Sequence, residues 1–203
     1  AYMDLSYSDL SYDSRLKYAN LTYTDLKYAN LRYVPMQYAN LLHADLNYAD
    51  LSYAFLNYAN LNQADLSNAN LSNARLYEAY LYETDLIAAN LSYAILIDAW
   101  MGNADLSYAY MGNADLSYAF LDGADLIGTN LSYSDLTSAS LSRTDFSNAD
   151  LSNADLSYAI LHDADLTGAD LTGADLTGVN WYWTTCPDGT ISDNNGNTCA
   201  NNL

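Results

Sequence analysis

Residues 164–178 read ADLTGADLTGADLTG, one five-residue unit three times over. A period of five excludes the ordinary options. An α-helix repeats its faces every 3.6 residues and a strand every two. The period is not local. From Leu16 to Leu176 every fifth residue is Leu, except Met36, Met101, Met111 and Phe146. Two residues before each of these stands Ala, Ser, Thr or Val. The unit is small-x-Leu-x-x. In an extended segment residues two apart point to the same side, so the small residue and the Leu face inward together. The residue between them faces outward. The last two positions are rich in Gly, Asn and Ser and suit a bend. Gly168, Gly173 and Gly178 can take positive φ there. Tyr at the same place, from Tyr18 to Tyr38, is expected to avoid positive φ. Two kinds of corner are therefore expected.

The outward column gives the number of sides. Asp25, Asp45, Asp65, Asp85, Asp105, Asp125, Asp145 and Asp165 recur at steps of twenty. Steps of ten fail at Pro35, Phe55 and Arg75, and steps of fifteen fail at Asn40. Four units thus close one turn, and residues twenty apart stack. The phase slips once, because Leu10 is followed by Leu16; the extra residue, assigned to Asp13, should bulge from a corner. Pro35 has no N–H and costs one ladder bond.

These units resemble the pentapeptide-repeat family, whose consensus reads A(D/N)LXX. The resemblance covers residues 3 to about 180. It implies an all-β fold, a right-handed quadrilateral β-helix of about nine coils of four pentapeptides. The handedness comes from the resemblance alone. Residues 1–180 are expected to form this solenoid and residues 181–203 a C-terminal cap. Trp181 takes the Leu position and should close the last coil.

The two cysteines, Cys186 and Cys199, bound a polar, turn-rich stretch, which points to a disulfide and an oxidising compartment. Cysteine-bounded Pro-Asp-Gly tails resemble those of secreted pentapeptide-repeat proteins. The chain begins at Ala1 without an apolar leader, as a secreted protein does after its signal is removed. A secreted or extracellular location is expected, in the periplasm or at the cell surface as variants of it. No window is apolar enough to span a membrane as a helix.

Net charge is −19, which disfavours a nucleic-acid partner. The charge is unevenly placed. Asp4, Asp9, Asp13 and Asp25 are balanced by Arg15, Lys17, Lys27 and Arg32, whereas only Arg75 and Arg143 offset the acids of the rest. No enzyme is expected. His43 and His162 stand alone, and there is no nucleophile–base set, phosphate loop or zinc cluster. No cofactor is expected either. Asp188, Asp193 and Asn195 offer oxygen donors for Ca²⁺, though not at EF-hand spacing. The sequons at Asn20, Asn70, Asn90 and Asn130 are generated by the repeat itself.

Three surface features remain. The Asp column either takes backbone hydrogen bonds, as Asx residues do at turns, or forms a cation-binding or phosphate-mimicking stripe. The tyrosines stack at the bends, either as cover for corner backbone or as a sticky face. An outward apolar column of Tyr80, Trp100, Phe120 and Ile160, with Tyr82 beside it and Trp183 in the tail, is a candidate partner interface. The expected function is a non-enzymatic secreted structural protein that associates with itself, head to tail or laterally, as a fibre subunit. An acidic DNA mimic is the second reading, since some pentapeptide-repeat proteins bind DNA gyrase. A monomeric adhesin or glycan binder is the third.

Overall fold

A computed structural model of the chain describes residues 3–195, 198 and 199. They form an all-β, right-handed, four-sided β-helix. Parallel bridges join outward residues twenty apart: Asp25 to Asp45, Asn30 to Asp50, Pro35 to Phe55 and Asn40 to Asn60. Each pair starts one of four faces, called here the aspartate, asparagine, arginine and aromatic faces. The column from Asp4 to Thr185 at this step gives about nine coils.

The unit Thr24–Tyr28 shows why the repeat has this composition. Each of its five N–H groups has an acceptor. Thr24 donates to the Leu21 carbonyl across the corner at 3.1 Å. Asp25 donates to Met3 in the preceding coil at 2.9 Å. Leu26 donates to Asp45 at 2.7 Å and Tyr28 to Asn47 at 3.1 Å, both in the next coil. Only the N–H of Lys27 has no backbone acceptor, and the Asp25 carboxylate takes it at 3.0 Å. Asp or Asn before Leu thus completes the backbone of its own corner. A buried or half-buried N–H left open is costly, which is why Asp and Asn fill most of these outward positions.

All corners are of one kind, contrary to the two expected. Tyr18 and Tyr38 have φ of 62° and 61°, and Gly168 has 71°. Every second corner residue from Tyr7 to Gly178 has positive φ, whatever its side chain. With the bond across the corner, the alternation of sign is that of a type II turn. The reason is that the backbone decides. The positive-φ N–H is held by the next coil and the following N–H by the preceding Leu carbonyl. A Tyr there pays an αL cost of about 1–3 kcal/mol, and ring stacking offsets part of it.

Inside, the leucines stack with the small residues at their corners. From Leu26 to Leu166 the inward positions are sealed from solvent. Where the small residue carries a hydroxyl, the hydroxyl is satisfied: Thr84 donates to the Leu61 carbonyl at 2.9 Å and Thr129 to Leu106 at 2.7 Å. The interior holds no charge among the described residues.

The extra residue of the first coil does not bulge. It is wound into a 3₁₀ turn, Ser14–Leu16, whose N-cap Asp13 accepts from the Arg15 N–H at 3.0 Å. Bridges step by twenty-one before this turn, as in Asp9 to Asn30, and by twenty after it. Pro35 lies above the turn and bridges only upward, to Phe55. Its missing N–H therefore faces a place where no ladder partner stands.

The coil register runs on into the tail. Trp181 is buried in the Leu position, Thr185 bridges to Asp165, and Gly168 donates to the Pro187 carbonyl at 2.9 Å. The chain then folds back. Thr185 and Ile191 form an antiparallel bridge, and Ser192 donates to the Thr184 carbonyl at 2.9 Å. A disulfide joins Cys186 to Cys199, both buried.

Candidate interaction surface

The aspartate face is built by its corners. The Oδ1 atoms of Asp45, Asp65, Asp105, Asp145 and Asp165 each accept from the N–H two residues on, at 2.8–3.3 Å. Asp125 is the exception in this column; Ile127 does not donate to it. Backbone hydrogen bonds act on these carboxylates together with burial and mutual repulsion. Burial, then repulsion by Asp105 and Asp145, raises the Asp125 pKa. Burial also raises that of Asp85, where the Ile87 N–H acts against it and Asp65 and Asp105 add to it. At the ends the sign reverses. Hydroxyl and N–H donors from Ser6, Ser11, Thr172 and Thr177 lower the pKa values of Asp4, Asp9, Asp170 and Asp175.

Two results follow from these corners. Replacing Asp105 by Ala removes the acceptor for Ser107 and should cost about 1 kcal/mol, whereas Asp105→Asn keeps it; paired urea melts measure the difference. The pH dependence has two opposing parts. A raised folded pKa gives stability that is complete below the unfolded carboxylate range and lost as pH rises through the folded value. A lowered one gives stability that is present at neutral pH and lost as pH falls through the folded value. Asp125→Asn should therefore raise the melting temperature at pH 7 and leave it unchanged at pH 3. Amide exchange at the two pH values should show the end coils loosening in acid while the coils around Asp85 and Asp125 hold.

The four basic residues of the first coils are largely engaged within the chain. Lys27 pairs with Asp45 at 2.6 Å, Arg32 with Asp50 at 3.5 Å and Arg15 with Asp13 at 2.6 Å. Arg15 holds the Asp13 carboxyl down at about 2. Lys17 lies 5.1 Å from the Tyr18 ring centroid. Around them the tyrosines form ladders. Tyr18, Tyr38 and Tyr58 stack at 5.2 and 4.8 Å, and Tyr7, Tyr28 and Tyr48 at 4.8 and 5.1 Å.

The aromatic face differs from the other three. Its outward column reads Asn20, Asn40, Asn60, Tyr80, Trp100, Phe120, Ser140, Ile160 and Asn180. No member is charged, on a chain of net charge −19. Each other face carries several aspartates in its column. Tyr80, Trp100 and Phe120 are consecutive rungs, 46%, 48% and 38% exposed, with Trp100 and Phe120 stacked at 4.5 Å. Ser140 separates them from Ile160, which is also exposed. Tyr82 lies one corner away. Its ring packs where a Cβ on Gly102 would come within 3.4 Å, and its hydroxyl accepts from Asn103 at 2.9 Å. Trp183 stands apart, exposed at a corner above Asp163, with Tyr182 at 6.3 Å. Glu78, Glu83, Asp98 and Asp122 sit at the corners that border the Tyr80, Trp100 and Phe120 rungs, with Lys17 and Arg143 at bordering corners farther along, so the uncharged centre has a mainly acidic rim.

Asp188 accepts from the N–H and hydroxyl of Thr190, and Asp193 from the Trp183 N–H at 3.0 Å. The side chain of Asn195, the third oxygen donor considered for Ca²⁺, lies outside the described residues. Sequence reasoning passed over Phe55, Arg75 and Ile95 on the arginine face, where the Arg75 guanidinium lies 5.4 Å from the Phe55 ring centroid. The signal was present: three bulky outward residues at successive steps of twenty.

Comparison with known proteins agrees with this architecture. A profile described as pentapeptide repeats matches residues 14–51, 44–81, 69–107, 104–143 and 144–180. Among solved structures the chain is similar to HetL, a pentapeptide repeat protein involved in heterocyst differentiation regulation from the cyanobacterium Nostoc sp. strain PCC 7120. Identity is 35%, coverage 93% of this chain and 91% of that one, and the TM-score 0.64. It shares its fold with a trypsin-treated form of QnrB1, a plasmid-mediated fluoroquinolone resistance protein, at 19% identity, TM-score 0.67, and coverage of 86% and 91%. No curated protein sequence matches. With repeats matched from residue 14 to residue 180 and a full-length relative above 30% identity, the chain belongs to the pentapeptide repeat family.

Proposed function

We propose that the protein is a non-catalytic structural rod of an oxidising, extracellular compartment, and that it associates with a second copy of itself through the aromatic face. One observation carries this reading. Among the described residues, the one outward column without a charge is also the one that exposes Tyr80, Trp100, Phe120 and Ile160. Two rods of this charge repel over most orientations. They meet at least cost where neither presents a carboxylate, and there apolar area is gained on closing. A two-fold axis lying in the plane of contact lays the stripe on itself with the mainly acidic rims outside. The paired basic residues of the first coils favour this lateral mode over a head-to-tail one. An isologous contact closes as a pair. A fibre needs a second contact in addition. The Cys186–Cys199 disulfide supports the compartment.

Sedimentation velocity across the micromolar range tests the pairing. The intact protein should show a dimer, and Trp100→Glu should weaken it at least ~30-fold, as loss of a central aromatic anchor does. At concentrations where the intact protein is monomeric the thermal melt should be unchanged, because Trp100 points outward. A monomer at all concentrations and salt levels rejects the proposal and favours a monomeric binder.

The second reading rests on the aspartate face, whose Asp column is unbroken from Asp25 to Asp165. A carboxylate every ~4.8 Å is sparser than the duplex charge, one per ~1.7 Å of axis. Inhibition in a DNA gyrase supercoiling assay with excess protein would favour this mimic over the rod.

A further inference from the structure

The corner between the asparagine and arginine faces carries Tyr33, Tyr53, Asn73, Tyr93, Asn113 and Tyr133 in successive coils. Tyr33 and Tyr53 stack at 4.9 Å. The ladder then misses a rung at Asn73. A coil rises by ~4.8 Å, so Tyr53 and Tyr93 are held about 10 Å apart. A flat ring midway would lie about 5 Å from each, the spacing that the chain's own stacked rings keep. Tyr53, Asn73 and Tyr93 help to line a groove of about 340 Å³ at this gap.

Its other wall is Phe55, Arg75 and Ile95 on the arginine face. Arg75 is one of two bases beyond residue 32, and it makes no ion pair among the described residues. Its guanidinium lies over the Phe55 ring, which fixes one face of the fork and leaves its edge for an acceptor. The groove therefore combines a slot one ring thick with an unpaired cation beside it. The next gap in the same ladder, at Asn113 between Tyr93 and Tyr133, has the same shape argument and the opposite charge: its neighbour on the arginine face is Asp115.

We propose that the Asn73 slot binds a small aromatic carboxylate, with the ring as the missing rung between Tyr53 and Tyr93 and the carboxylate on Arg75. The carboxylate takes a forked, charge-assisted contact. The chain's overall negative field opposes anions elsewhere, so Arg75 sets both the site and its preference. This site is independent of pairing through the aromatic face.

The test is a titration of the full chain with phenylacetate, followed by NMR at the side-chain amides of Asn73 and Asn113. Benzyl alcohol and cyclohexylacetate serve as the uncharged and non-aromatic comparisons. Phenylacetate should give a saturable shift at Asn73, with a millimolar Kd set by so few ligand atoms, and none at Asn113. Arg75→Gln should weaken it about tenfold. Asn73→Tyr should complete the ladder, abolish binding and leave the melt unchanged or higher. The proposal is overturned by the absence of a saturable shift at Asn73, by equal binding of either comparison compound, or by equal shifts at the two asparagines.

Discussion

Leu106→Asp should leave the central coils unable to form. Leu106 is sealed from solvent, and the stacked interior offers a carboxylate no partner. The N–H groups of its coil are already spent on neighbouring coils and on the Asp105 side chain. An ionised carboxylate cannot remain there, and even the neutral acid keeps an unmet hydroxyl and leaves the volume of the Leu unfilled. The cost should exceed about 4 kcal/mol, a large part of a stability of about 5–15 kcal/mol. Leu106→Met, which keeps the volume, should cost under ~1.5 kcal/mol. Circular dichroism melts of the two variants decide it; a near-native melt for Leu106→Asp contradicts the dry interior.

That asymmetry explains why so much of the fold is legible in the sequence. The inward positions admit only one chemistry, so Leu recurs where the coil needs it. The outward positions are free to vary, and for that reason a step of twenty in the Asp column is informative. The corners were misjudged because a residue preference was set against a backbone network and lost. Tyr28 alone would avoid positive φ, but its N–H is fixed by Asn47 and that of Ala29 by Leu26. The winding of the extra residue was illegible for a similar reason. Asp13 looks like a loop residue in isolation, and only its carboxylate on the Arg15 N–H makes it a cap.

The surface was legible in part. Tyr80, Trp100, Phe120 and Ile160 could be read as a column, but the meaning of the column comes from the other three faces. An apolar stripe on a neutral protein is unremarkable in kind; on this one it coincides with the one outward column among the described residues that carries no charge. The same comparison separates the Asn73 slot from the Asn113 slot. Their ladder positions are equivalent, and Arg75 or Asp115 on the adjoining face gives them opposite character.

Reduction of Cys186–Cys199 should release the cap and loosen the last coils while the middle of the rod persists. The disulfide spans thirteen positions, and a loop of that length contributes ~3 kcal/mol in the chain-entropy picture. The cap's other ties include Ser192 to Thr184 and the carbonyl of Trp181, Asp193 to Trp183, Gly168 to Pro187, Cys186 to Thr190, and the Thr185–Ile191 bridge. Beneath it lies an end coil whose interior is less shielded than the middle of the rod, with Leu176 and Val179 only partly buried. Stability in a solenoid is a sum over neighbouring coils, so a loss at one end stays near that end. Amide exchange should therefore accelerate around Leu161 to Thr185 in the Cys186→Ala/Cys199→Ala double variant and remain slow around Leu66 to Leu106. The same pattern should appear when the intact protein is reduced. If exchange speeds up equally along the rod, the coils are not independent; if it does not change at Thr185, the fold-back contacts hold the cap without the sulfurs and the compartment argument loses its support.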